Sequence, residues 1–100
     1  MAFDVIIKLV VWLDVDEAIE WYENKSTGLG RRFYKSFDEV LDKITKDPTA
    51  YFFVAKNVRR ILFRNFPYKL LYTISDNTVF VIGVFHEKRS KASIRRRIKS

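Results

Sequence analysis

Three consecutive runs decide the fold: Val58-Arg59-Arg60-Ile61-Leu62-Phe63-Arg64-Asn65, Tyr68-Lys69-Leu70-Leu71-Tyr72-Thr73-Ile74-Ser75 and Val79-Phe80-Val81-Ile82-Gly83-Val84-Phe85-His86. Each is rich in β-branched and aromatic residues, which suit a pleated, half-buried surface. Phe66-Pro67 separates the first two, and the polar pair Asp76-Asn77 suits a tight turn between the last two. The three runs therefore predict a β-meander. The third is apolar on both faces, as a central strand must be. In the middle run, Tyr68 to Tyr72 places apolar residues on both faces, so sequence alone leaves the inward parity open. If Ile61, Phe63 and the tyrosines face the core, then Arg60, Leu62, Arg64 and Lys69 share the opposite face.

Upstream, Thr49 to Asn57 reads as a loop whose Tyr51-Phe52-Phe53 covers an edge of the core. Leu29, Phe33, Phe37, Val40, Leu41 and Ile44 recur at helical spacing, with Arg31, Arg32, Lys35, Asp38, Glu39, Asp42 and Lys46 on the other side. Asp47-Pro48 ends this helix, because the residue before proline is pushed out of the helical region. Lys25-Ser26-Thr27-Gly28 makes a turn with Ser26 or Thr27 as cap. Before it lies a short helix starting at Asp14, with Glu17 completing a capping box and Ala18, Ile19, Trp21 and Tyr22 as its apolar stripe. The two helices form an αα-hairpin. Phe3, Val5, Ile7, Leu9 and Val11 alternate and predict a first strand over Phe3 to Val11. Lys88 to Lys99 forms a short basic C-terminal helix or remains a tail.

These elements give an α+β class, order β-α-α-β-β-β, with the helical hairpin on one face of a mostly antiparallel four-stranded sheet. The sheet's other face is then solvated or held for a partner. With 100 residues, 48% hydrophobic and 16% aromatic, the expectation is one domain over residues 1–100. No apolar run approaches the roughly 20 residues of a membrane span. The N-terminus has no basic, cleavable leader pattern, so a cytoplasmic protein is expected.

Charge is unevenly placed. Residues 1–55 carry seven Lys/Arg against ten Asp/Glu, whereas residues 56–100 carry twelve against two, a net of −3 against +10. A field of that sign on the meander and C-terminus favours a polyanionic partner, either nucleic acid or an acidic protein. With no cysteine and one histidine, His86, the chain lacks the donors of a zinc site, and no metal or cofactor is expected. Gly28-Leu29-Gly30 lies between helices rather than after a strand, so it is a turn and not a phosphate loop.

Ala18-Ile19-Glu20-Trp21-Tyr22-Glu23, Gly28-Leu29-Gly30-Arg31-Arg32-Phe33, Asp47-Pro48, Arg59-Arg60, Phe66-Pro67-Tyr68-Lys69-Leu70-Leu71-Tyr72 and Val84-Phe85-His86-Glu87-Lys88-Arg89 occur in this order. Together they resemble the RelE/ParE superfamily of type II toxins, also described as plasmid stabilisation system proteins. The resemblance implies a toxin neutralised by a cognate acidic antitoxin, with either the ribosome and mRNA or DNA gyrase as target. For a RelE-like, metal-free mRNA endoribonuclease it implies Lys69 and Arg60 on the phosphate, His86 as acid or base, and Arg64 and Arg89 binding substrate. Leu62, Glu87 and Ser93 stand where that pattern has a lysine, an arginine and a tyrosine. A ParE-like gyrase inhibitor, or a non-catalytic module binding antitoxin or nucleic acid, is the alternative.

Overall fold

The computed structural model describes residues 2–99; Met1 and Ser100, included in the single-domain expectation, lie outside them. The chain runs β1 (Asp4–Ile7), α1 (Leu9–Lys25), α2 (Leu29–Lys46), a 3₁₀ turn (Pro48–Ala50), β2 (Phe53–Ala55), β3 (Val58–Leu62), β4 (Tyr68–Ser75), β5 (Thr78–His86) and α3 (Lys91–Lys99). The sheet order is β1-β5-β4-β3-β2. β1 pairs parallel with β5, and every other pair is antiparallel.

The α+β hairpin-on-sheet architecture is as expected, with three corrections. The sheet has five strands, because Phe53–Ala55 within the expected loop pairs with β3. β1 stops at Ile7, and α1 begins at Leu9. Val11, Val15 and Ala18 are buried at steps of four and three, so the helical period wins over the alternation that extended the strand to Val11. Asp14 consequently lies inside α1 and caps nothing.

The third correction concerns the hairpin turn, where neither Ser26 nor Thr27 caps α2. Gly28 does so in a left-handed conformation (φ 91°), which glycine adopts without a side-chain penalty. The Glu23 carboxylate accepts the Gly28 and Gly30 amides at 3.0–3.1 Å. These bonds hold its pKa below the usual value. Gly30 also lets the helices approach, since a Cβ there would meet the Ile19 carbonyl at 2.9 Å.

The main core lies between the hairpin and the sheet. Val11, Val15, Phe33, Phe37, Val40 and Ile44 meet Ile61, Phe63, Leu70, Tyr72, Val79, Val81 and Val84. Buried Tyr72 donates its hydroxyl to the Pro48 carbonyl at 2.6 Å, so its polar end is satisfied. Burial pushes its phenol up to about 12. The opposite sheet face is not left open throughout. The C-terminal segment forms a helix, and its Ile94 and Ile98 cover Val58, Leu71, Ile82 and Phe85.

Candidate nucleic-acid interface

The parity left open by the sequence is settled by which residues are buried on each side. Ile61, Leu70 and Tyr72 belong to the hairpin core, whereas Val58 and Leu71 belong to the α3 cluster. Strand alternation then places Arg60 and Leu62 with Val58, and Lys69 with Leu71, on the α3 side. Leu62 pairs with Lys69 and Arg60 with Leu71, so Arg60 and Lys69 are diagonal neighbours about 7–8 Å apart along the ladder. Leu62 beside them is 47% exposed. Phe52, which accepts the Arg60 amide through its carbonyl, lays its ring 6.0 Å from the Arg60 guanidinium and is 74% exposed.

His86 is elsewhere, and a β-bulge is the reason. Leu71 pairs with Gly83 and Tyr72 with Val81, so Ile82 is an extra residue on β5. The bulge inverts the alternation beyond it: Val84 faces the hairpin and Phe85 faces α3. Gly83 makes room for that, because a Cβ there would meet the Phe85 ring at 2.5 Å. His86 accordingly lines a cleft of about 760 Å³ beside α1, together with Glu17, Trp21, Tyr68 and Arg89. Its ring meets Tyr68 edge-on at 5.3 Å, and its Nδ1 accepts the Lys88 amide at 3.0 Å. That bond leaves the neutral ring's proton on Nε2. Desolvation raises the Tyr68 phenol, with Tyr22 and Glu17 adding to the rise and Arg89 opposing it.

The five expected site residues therefore divide. Arg60 and Lys69 share the α3 side, while His86 and Arg89 line the α1 cleft. Arg64 lies exposed in the β3–β4 connection, where its carbonyl accepts the Ser36 hydroxyl of α2 at 2.9 Å. Among the described residues, no three His, Asp or Glu are grouped to hold a metal ion. No described helix is long and apolar enough to cross a membrane.

Asp14 and Arg97 also line the His86 cleft, at the part of the β5 edge that β1 is too short to cover. There Asp14 of α1 accepts the Val84 amide at 3.1 Å and is gripped by Arg97 of α3 at 2.6 and 2.9 Å. Arg97 also donates to the Ile82 carbonyl at 3.3 Å. The ion pair thus supplies one acceptor and one donor to the strand edge, as a neighbouring strand would. Its hydrogen bond to Asp14 raises the Arg97 pKa further. Neither this pair nor Phe52 was identifiable from spacing: Asp14 and Arg97 are 83 residues apart. The aromatic run at 51–53 was the only signal near Phe52.

The overall fold matches solved structures from toxin–antitoxin systems. The isolated E. coli RelE toxin superposes with TM-score 0.65 at 18% identity, covering 98% of both chains. This is the RelE/ParE toxin fold. A chain of the chromosomal ParDE TA system from P. aeruginosa matches with TM-score 0.65 at 8% identity, over 85% of this chain and 96% of that one. The archaeal RelE-RelB complex from Pyrococcus horikoshii OT3 gives 0.57 at 14% identity, over 90% and 100%. No family model matches the chain, and no curated protein matches it in sequence. Within the RelE/ParE fold, the Arg60–Lys69 face is the side of the sheet that carries α3, and the His86 cleft belongs to the hairpin side.

Proposed function

We propose that the chain is the toxin component of a type II toxin–antitoxin module, neutralised by a cognate acidic antitoxin, and that it blocks translation by acting on ribosome-bound mRNA. The observation that carries this reading is the Arg60–Lys69 pair on a sheet face that α3 covers only in part. The shared fold supports the toxin assignment, and the RelE-RelB complex supports a protein antitoxin as partner. On this face the two cations hold a phosphate and stabilise the negative charge that grows on it as the adjacent 2′-hydroxyl, losing its proton to water, attacks the phosphorus. The 5′-oxygen of the next nucleotide leaves and takes a proton from water, giving a 2′,3′-cyclic phosphate. His86 and Arg89, facing the α1 cleft, serve the fold and partner contacts rather than that step.

The placement of His86 also favours a second reading. A phosphate-binding face without its imidazole suits a surface that docks on DNA gyrase without cutting nucleic acid. Induced expression of the chain alone separates the two. The mRNA reading expects growth arrest with halted translation, abolished by Arg60→Ala or Lys69→Ala and retained by His86→Ala. A DNA-damage response with continued translation selects gyrase. Harmless expression of the folded protein would falsify both.

A further inference from the structure

The Arg60–Lys69 face holds two exposed large apolar side chains. Phe52 is 74% exposed and Leu62 is 47% exposed, both beside Arg60. Their surroundings are cationic: residues 56–100 carry a net +10, and Arg60 and Lys69 stand on the same patch. Phe52 is also held in place. Its carbonyl accepts the Arg60 amide at 3.0 Å, and the following residue, Phe53, lies 4.0 Å from the Arg59 guanidinium. Arg59 in turn donates to the Thr49 and Tyr51 carbonyls at 2.9 and 2.8 Å, anchoring the segment that leads into Phe52.

An exposed aromatic ring anchored to its backbone beside a guanidinium matches the chemistry of a nucleotide, which offers a flat π-face and a phosphate together. Proteins that bind single strands combine such cations with stacking rings. An acidic peptide would satisfy Arg60 and Lys69 but leave the Phe52 ring bare. We infer that Phe52 is a base-stacking platform, so that the sheet face binds single-stranded RNA through one stacked base on Phe52 with the adjoining phosphates on Arg60 and Lys69. This rests on the RNA reading above and adds the residue that senses bases. Because a ring stacks on any base, the platform confers a preference for unpaired nucleotides rather than for a sequence.

The test is fluorescence anisotropy with the full chain and two labelled probes of about 12 nucleotides, an oligoadenylate and an abasic ribose-phosphate strand of equal length. Phe52→Ala is expected to weaken oligoadenylate binding about tenfold, as loss of one stacked base does, and to leave the abasic strand unchanged. Phe52→Trp should retain oligoadenylate affinity. Arg60→Ala should weaken both probes and lower the salt dependence by about one counterion. Circular dichroism confirms that each variant is folded.

Unchanged oligoadenylate affinity in Phe52→Ala, or equal weakening of both probes, overturns the platform while leaving the phosphate contacts standing. If Arg60→Ala and Lys69→Ala change neither probe, the RNA face itself is lost and the platform with it. An oligoglutamate peptide that loses as much affinity as oligoadenylate on Phe52→Ala assigns the patch to an acidic protein and overturns the inference.

Discussion

The two faces of the sheet are both apolar at their centres, yet they are built to opposite ends. On the hairpin side Phe33 stacks on Phe63 at 5.1 Å and meets Tyr22, Phe66 and Tyr68 at 4.9–5.5 Å, and Phe37 meets Trp12 at 5.6 Å. Rings at these separations fill volume and gain energy beyond their buried area. On the α3 side four buried residues meet two isoleucines, and the rim is Arg60, Leu62 and Lys69. One face holds the protein together, and the other keeps charge and apolar surface available. The difference shows how a small sheet separates close packing from an exposed, charged surface: alternation along β3 and β4 gives each face its own residue set.

Substitutions ranked by cost sharpen this contrast. Phe33→Ala, at the centre of the aromatic cluster, should destabilise the protein by about 3–5 kcal/mol in urea unfolding. Asp14→Ala comes next. It removes the Asp14 carboxylate from Arg97 and the acceptor from the Val84 amide, and Arg97 and Asp14 are only 17% and 12% exposed. A loss of about 2–3 kcal/mol is expected, as for hydrogen bonds to a charged group, with hydrogen exchange at Val84 accelerated.

Tyr72→Phe removes the bond to Pro48 and should cost about 1–2 kcal/mol. Its pH signature is specific. The phenol ionises near 10 in the unfolded chain and near 12 in the folded one. Its contribution is therefore complete below pH 10 and lost as pH rises through about 12. The variant should show a shallower alkaline decline in stability than the parent.

At the far end of the scale, Leu62→Lys on the exposed α3 side should change stability by no more than about 0.5 kcal/mol. A cost of several kcal/mol there, or a negligible one at Phe33, would break the division between the faces.

Legibility in the sequence followed the same division. The meander and α2 were readable because one local period dominates each: apolar positions in α2 recur on a single buried side, and β3 to β5 carry β-branched runs between turn residues. The start of α1 was not, because Leu9-Val10-Val11 satisfies the strand alternation as well as the helical step. Only the burial of Val11 with Val15 and Ala18 decides for helix. β2 is three residues, all exposed, and its identity comes from pairing with β3 rather than from its own pattern.

At the site, Arg60 and Lys69 fell together by parity alone. His86 did not join them because one extra residue at Ile82 turns the end of β5 over. Nothing in the sequence marks that bulge beyond Gly83.

The parallel pairing of β1 with β5 has a consequence in time. Asp4 to Ile7 find their partners only at Thr78 to Val81, and Asp14 finds Arg97 only 83 residues later. During synthesis, at about 5–20 residues per second, the hairpin and first strand emerge several seconds before the strand that completes their sheet. Loop closure over that separation adds an entropic cost to this one pairing, whereas β3, β4 and β5 pair between sequence neighbours. The basic face is likewise incomplete until β5 and α3 have been made, because Ile94 and Ile98 of α3 cover its apolar centre.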